Sequence, residues 1–133
     1  MVVYLDSVVV IYVVEGLPAF QARAKAHLAS LRSAGDELAF SDLTRLECRV
    51  KPIRLGNATL LAEFDTFFAS ADLIKAPIPA AVFERATLLR AAYNFKLGDS
   101  LHLATAIVAG CDCFLTNDTR LGRCTDIPVD VLP

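Results

Sequence analysis

The run Val2-Val3-Tyr4-Leu5 opens the chain with four strand-favouring or apolar residues and stops at a carboxylate, Asp6. Because the run does not alternate between apolar and polar, it fits a strand buried on both faces, as at the centre of a parallel sheet. Such a strand delivers Asp6 to the carboxyl edge of the sheet. Open α/β folds bind their ligands outside that edge. The rest of the chain must therefore cover two sheet faces, and its function turns on whether other acids reach the same edge.

Taken in order, the residues after Asp6 predict helices and strands in alternation. Asp6-Ser7 supplies a helix N-cap and Gly16 a stop, so Val8 to Val14 reads as a short helix despite its β-branched content. Ala19 to Ser33 is an amphipathic helix with Phe20, Ala24, Leu28 and Leu31 at helical spacing. Glu37 to Phe40 is a second strand. Ser41-Asp42 then caps a helix carrying Leu43, Leu46, Val50 and Ile53, with Pro52 as an expected kink. A helix from Ala58 to Ser70 follows, with Leu60, Leu61, Phe64, Phe67 and Phe68 on its buried side.

Ala71 to Lys75 reads as an edge strand. Ala80 to Phe95 forms a long helix with Val82, Phe83, Leu88 and Leu89 inward. Asp99 is expected to cap the next helix, Ser100 to Ala109. Cys113 to Thr116 is a fourth strand, followed by a turn at Asn117-Asp118, and Val129 to Val131 a fifth. This alternation predicts a parallel α/β sheet with helices on both faces. With no repeat or linker, residues 1–133 read as a single domain.

Composition sets bounds on function. Hydrophobic residues make up 55% of the chain and charged ones 21%, and the mean hydropathy of +0.49 is high for a water-soluble protein. The longest apolar stretches, such as Leu101 to Val108, are broken by His102 and Thr105 and fall short of the ~20 residues a membrane span needs. The N-terminus has no basic segment, and Asp6 interrupts its apolar run, which argues against a signal peptide. The expectation is a cytoplasmic protein without membrane association. Cys48, Cys111, Cys113 and Cys124 lack the two-residue gap typical of zinc sites and read as reduced thiols.

Asp6 follows the first strand and Asp118 the fourth. If those strands are neighbours, the two acids flank the topological switch point of the sheet. Asp99 opens the helix that leads to the fourth strand, and Glu47 lies two turns into the helix after the second. Four carboxylates at one spot repel each other unless a cation neutralises them or a proton is shared. All-oxygen ligands favour Mg²⁺ or Mn²⁺ over zinc. A divalent ion so held is equipment for hydrolysing phosphodiesters. Each aspartate also has a plainer reading, Asp6 and Asp99 as helix caps and Asp118 as a turn residue. Glu47 caps nothing in mid-helix, and its plainer reading is a solvated helix face.

Four segments carry a resemblance. They are Tyr4-Leu5-Asp6-Ser7 with Ile11-Tyr12, Ser41-Asp42-Leu43-Thr44-Arg45-Leu46-Glu47, Gly98-Asp99-Ser100-Leu101-His102-Leu103-Ala104-Thr105-Ala106, and Phe114-Leu115-Thr116-Asn117-Asp118. In this order and at these separations the chain resembles a PIN domain, specifically the VapC-type toxin ribonucleases of type II toxin–antitoxin pairs. The resemblance implies a three-layer α/β/α sandwich with a central parallel sheet. It implies that Asp6, Glu47, Asp99 and Asp118 form a catalytic acidic pocket for one or two Mg²⁺ or Mn²⁺ ions, where metal-activated water attacks RNA. Ser7, Thr116 and Asn117 match supporting polar positions. Val8 departs from the family, which commonly has Asn or Ser there, but this removes no ligand and activity is expected to be retained.

The resemblance further implies a homodimer, inhibited as a hetero-oligomer by a cognate antitoxin protein, for which apolar surface on the first two helices would be suited. The net charge is −2, from 13 Lys+Arg and 15 Asp+Glu. Setting the four pocket acids aside leaves 11 acids against the 13 bases. Lys96 and Arg120, adjacent to pocket acids, and Arg45 and Arg49, on the Glu47 helix, are the candidate RNA-phosphate contacts. His102 and His27 are expected to pack or hydrogen-bond. The alternative function is a catalytically inactive PIN-like module that binds RNA or protein. Receivers and dehalogenase-type phosphatases also carry an Asp after the first strand, but they need further acids that Val8 does not supply.

Overall fold

The first strand, β1 (Val2–Leu5), occupies the middle of the sheet, as its unbroken apolar run requires, with Val3, Tyr4 and Leu5 all buried. In the computed structural model, which describes residues 1–133, a nine-residue helix follows at once, α1 (Ser7–Glu15), and then α2 (Pro18–Ser33). Asp6 caps α1 by accepting the Ser7 N–H at 2.8 Å. Gly16 ends it where a Cβ would come within 2.6 Å of the Tyr12 carbonyl oxygen. β2 (Glu37–Phe40), α3 (Asp42–Arg54), α4 (Ala58–Phe68) and β3 (Leu73–Lys75) complete one half of the chain. The other half is α5 (Ala80–Tyr93), α6 (Leu97–Val108), β4 (Cys113–Thr116), a 3₁₀ turn (Thr119–Arg123) and β5 (Val129–Val131).

All strands are parallel, in the order β3-β2-β1-β4-β5. The chain winds outward through β2 to β3, returns to the opposite side of β1 as β4, and ends at β5. The switch point therefore lies between β1 and β4, where Tyr4 pairs with Phe114 and Leu5 with Leu115. Strand side chains alternate between two cores. Tyr4, Ala39 and Phe114 face α5 and α6 through Val82, Ala86, Leu89 and Leu103. Val3, Leu5, Leu38, Phe40 and Leu115 face α1 to α4 through Val9, Leu28, Cys48 and Phe64. This is a three-layer α/β/α sandwich around a parallel sheet, the fold that the resemblance implies. No single helix is long and apolar enough to cross a membrane, and α1 with α2 reach that length only as a pair bent by 116°. All four cysteines are free.

Four helices differ from their expected faces or bounds. α3 buries Thr44, Cys48 and Pro52, leaving Leu46, Val50 and Ile53 exposed. Its inward stripe is made of small and polar residues because Ser41 and Thr44 meet the Tyr4 hydroxyl, so apolar spacing points to the wrong face. On α5, Val82, Ala86 and Leu89 are buried, whereas Phe83 and Leu88 lie outside that stripe and are exposed. Phe20 of α2 is also exposed, stacking on Tyr12. α6 begins three residues earlier than expected, with Lys96 as its N-cap and Asp99 inside the first turn. The reason lies upstream, where Asn94 ends α5 in the left-handed conformation and Phe95 is buried, so the helix restarts directly after them.

Candidate active site

Asp6, Val8, Glu47, Asp99, Asn117, Asp118, Thr119 and Arg120 line one open cleft of about 490 Å³. It sits at the carboxyl ends of β1 and β4, so the four acids do reach one edge. Each arrives by a different route. Asp6 is fixed by backbone, since its own N–H donates to the Leu115 carbonyl at 2.9 Å. Its Oδ1 accepts from the Ser7 N–H at 2.8 Å and its Oδ2 from the Thr116 hydroxyl at 2.7 Å. Thr116 Oγ1 also accepts the Asp118 N–H at 3.1 Å, tying the two strand ends together.

Glu47 reaches the cleft from the second turn of α3. Its Oε1 accepts from the Ser7 hydroxyl at 2.7 Å and is hydrogen-bonded to His102 Nε2. Asp99 is held only by its place in the first turn of α6, and no protein group donates to its carboxylate. The capping explanation therefore fails for Asp99, while Asp6 and Asp118 both cap and line the cleft. Asp118 caps the 3₁₀ turn and receives the Arg120 guanidinium in a fork, Nε to Oδ1 at 3.0 Å and Nη2 to Oδ2 at 2.6 Å.

These surroundings push the acids in opposite directions. Burial raises the pKa of Asp6, opposed by His102, Thr116 and the Ser7 amide, with Glu47 adding repulsion. Burial raises Asp99 as well, reinforced by repulsion from Asp6 and Asp118. The hydrogen bond to His102 holds Glu47 below the usual carboxylate range, and the fork to Arg120 does the same for Asp118. The cleft thus contains two acids that resist ionisation, Asp6 and Asp99, and two whose ionised form is stabilised by protein partners, Glu47 and Asp118.

No three His, Cys, Asp or Glu side chains are gathered closely enough to hold a metal ion in this arrangement. Glu47 is engaged by Ser7 and His102, and Asp118 by Arg120. The donor chemistry nevertheless fits a hard divalent cation. The acids offer only oxygen, they share one cleft, and Asp6 and Asp99 carry a burial and repulsion cost that a cation relieves.

The remaining expected site residues divide. Asn117 lines the cleft and donates through Nδ2 to the Tyr12 hydroxyl at 2.9 Å. Lys96 lies at the N-terminus of α6 and is exposed. Arg49 and Arg45 turn to Asp65 of α4, at 2.9 and 3.7 Å. His27 pairs with Asp130 at 3.1 Å, away from the cleft. Sequence reasoning did not single out Tyr4 as part of the site, yet its buried hydroxyl lies 2.8 Å from His102 Nδ1 and 2.7 Å from Ser41 Oγ. A tyrosine in a central strand is the one signal for it, because a buried phenol needs a partner.

Residues 3–126 match the sequence model of the PIN domain family. No curated protein matches the chain in sequence. Among solved structures, the chain superposes on VapBC2 from Rickettsia felis, bound to a DNA fragment from its promoter, with a TM-score of 0.83 at 16% identity, covering 100% of both chains. A toxin–antitoxin complex from Klebsiella pneumoniae gives 0.73 at 23% identity over 98% of each chain. VapC20 from Mycobacterium tuberculosis, described as a sarcin-ricin loop cleaving toxin, gives 0.70 at 14% identity over 84% of this chain and 86% of that one. At these identities the likeness is one of fold.

Proposed function

The chain belongs to the PIN domain family, and from that membership we propose that it is a divalent-metal-dependent endoribonuclease, the toxin of a type II toxin–antitoxin pair. The observation that carries the reading is the convergence of Asp6, Glu47, Asp99 and Asp118 on one cleft at the β1/β4 switch point. A Mg²⁺ or Mn²⁺ ion bound there supplies Lewis-acid stabilisation of phosphoryl charge and an acidified water. Asp6, Asp99, Asp118 and the free oxygen of Glu47 would hold such an ion. Thr116 and Ser7 hold Asp6 and Glu47 in place from behind.

Arg120 has two roles in this scheme. In the metal-free protein it neutralises Asp118. With Asp118 engaged as a ligand, the Arg120 guanidinium would be free to contact an RNA phosphate, and Lys96 would add charge on the same side. Arg45 and Arg49 extend that basic surface along α3, at the cost of their pairing with Asp65.

The partner in this reading is a cognate antitoxin, as in the toxin–antitoxin complexes that the fold resembles. Exposed Leu17 and Phe20 beside the α1–α2 junction, and Leu46, Val50 and Ile53 on α3, supply apolar surface for it and for homodimerisation. The protein acts in the cytoplasm, where RNA and antitoxin are found.

The test is incubation of purified protein with single-stranded RNA and Mg²⁺ or Mn²⁺. Cleavage is expected with metal, and none with EDTA or after Asp6→Asn. Cleavage unchanged by Asp6→Asn overturns the assignment of Asp6. Binding of RNA without cleavage under every metal condition favours the non-catalytic module, a reading that draws on the engaged state of Glu47 and Asp118.

A further inference from the structure

The polar residues behind Glu47 form a continuous buried chain. Tyr4, Ser41 and Thr44 are fully buried and His102 is 1% exposed. The Tyr4 hydroxyl lies 2.7 Å from Ser41 Oγ, 3.3 Å from Thr44 Oγ1 and 2.8 Å from His102 Nδ1. The other ring nitrogen, Nε2, meets Glu47 Oε1 and lies 3.2 Å from Ser7 Oγ. A carboxylate oxygen only accepts, so Nε2 must carry the hydrogen. Tyr4 then donates to Nδ1 and accepts from the hydroxyls of Ser41 or Thr44. The tautomer of His102 is thereby set by Tyr4, a buried residue of β1 that does not itself line the cleft.

The consequence falls on Glu47. Its side chain is long and 39% exposed, and left alone it would sample many rotamers. Two donors, Ser7 Oγ and His102 Nε2, both engage Oε1. Oε2 remains without a donor and lies beside the first turn of α6, 3.5 Å from where a Cβ on Gly98 would sit.

We propose that His102, oriented by Tyr4, is a positioning residue that locks Glu47 by one oxygen and presents the other, Oε2, to the cleft as a single-oxygen ligand. This rests on the metal-binding reading above. The residue acts through Glu47 and touches neither metal nor RNA.

The test compares Mn²⁺ affinity, by calorimetry on the whole chain, in wild type, His102→Leu, His102→Gln and Tyr4→Phe. A glutamine amide can donate from the place of Nε2, whereas leucine cannot. His102→Leu is expected to weaken Mn²⁺ binding about 10- to 100-fold, as loss of an outer hydrogen-bond partner typically does. His102→Gln is expected to recover most of that loss. For RNA, kcat falls in the leucine variant while KM is unchanged. If His102→Leu does not fold, Tyr4→Phe, which removes one oxygen, is expected to weaken Mn²⁺ binding several-fold.

Metal-free protein offers an independent readout, since ¹⁵N NMR of His102 is expected to show the Nε2–H tautomer. An Nδ1–H tautomer, or equal Mn²⁺ affinity in folded leucine and wild-type proteins, overturns the positioning role alone. Wild-type protein that binds no Mn²⁺ overturns the metal reading on which it rests.

Discussion

Replacing Thr116 by Val tests how the two strand ends hold Asp6. The exchange keeps the shape of the side chain and deletes one buried hydroxyl, which is why it is not a neutral swap. Two interactions disappear, the 2.7 Å bond to Asp6 Oδ2 and the 3.1 Å bond from the Asp118 N–H. A hydrogen bond to a charged group contributes about 1.5–3 kcal/mol. The Asp118 N–H is only partly buried, and water replaces much of that second bond. The expected loss is about 2–4 kcal/mol. At roughly 3–4 °C per kcal/mol for a chain of this size, Tm falls by roughly 6–16 °C.

The effect has a pH signature. Thr116 lowers a pKa that burial raises, so the valine variant carries a still higher Asp6 pKa. The hydroxyl stabilises the ionised acid. Its contribution is therefore full above the folded-state pKa of Asp6 in the variant, and it fades as pH falls and Asp6 is protonated in both proteins. Urea unfolding of metal-free protein in EDTA, from neutral pH downward, measures this directly. A difference under about 0.5 kcal/mol at neutral pH, or one that does not shrink on acidification, refutes the reasoning.

Further outcomes are expected elsewhere in the cleft. Asp99→Asn removes an acid whose pKa is raised by burial and by Asp6 and Asp118. The stability that goes with a protonated Asp99 is present below its unfolded value and is lost as pH rises through the raised folded one. The variant is therefore expected to have the higher Tm in EDTA at neutral pH, while RNA cleavage falls on the order of 10²–10³-fold. Arg120→Ala frees Asp118 and is expected to tighten Mn²⁺ binding about 2- to 5-fold by calorimetry while raising KM for RNA. Mn²⁺ at 100 times its Kd is expected to stabilise wild type by about 2.7 kcal/mol in thermal unfolding, and Asp6→Asn by much less. Burial pushes the Cys48 thiol to about 12 and Cys111 to about 11, so neither should react rapidly with a thiol reagent at pH 8 until the protein unfolds.

Much of the fold is legible because burial on both sheet faces leaves a plain mark. Val2–Leu5 and Cys113–Thr116 lack alternation, and both prove central. The acids after them reach the switch point, as strand adjacency requires. What was hidden depends on pairing across the fold. The inward face of α3 is written in Thr44, Cys48 and Pro52, which periodicity of large apolar residues passes over. Asp99 looks like a cap because Leu97-Gly98 resembles a break, yet Lys96 takes the cap position. The Tyr4–His102–Glu47 chain joins residues 98 and 55 positions apart and has no local signature. The fork of Arg120 on Asp118 has one in principle, a base two residues after an acid, but the spacing alone does not distinguish a partner for Asp118 from one for RNA.

The central claim is that the four carboxylates of the cleft, two of them engaged by protein partners, close on a cation. Diffraction from crystals grown with Mn²⁺, recorded at the manganese absorption edge, tests it most directly. The account predicts one or two anomalous peaks in the cleft at about 2.0–2.2 Å from oxygens of Asp6, Asp99 and Asp118 and from Glu47 Oε2, with Arg120 displaced from Asp118. Occupied Mn²⁺ sites lying only outside the cleft, or a cleft still closed by the Arg120–Asp118 fork at saturating Mn²⁺, contradict it.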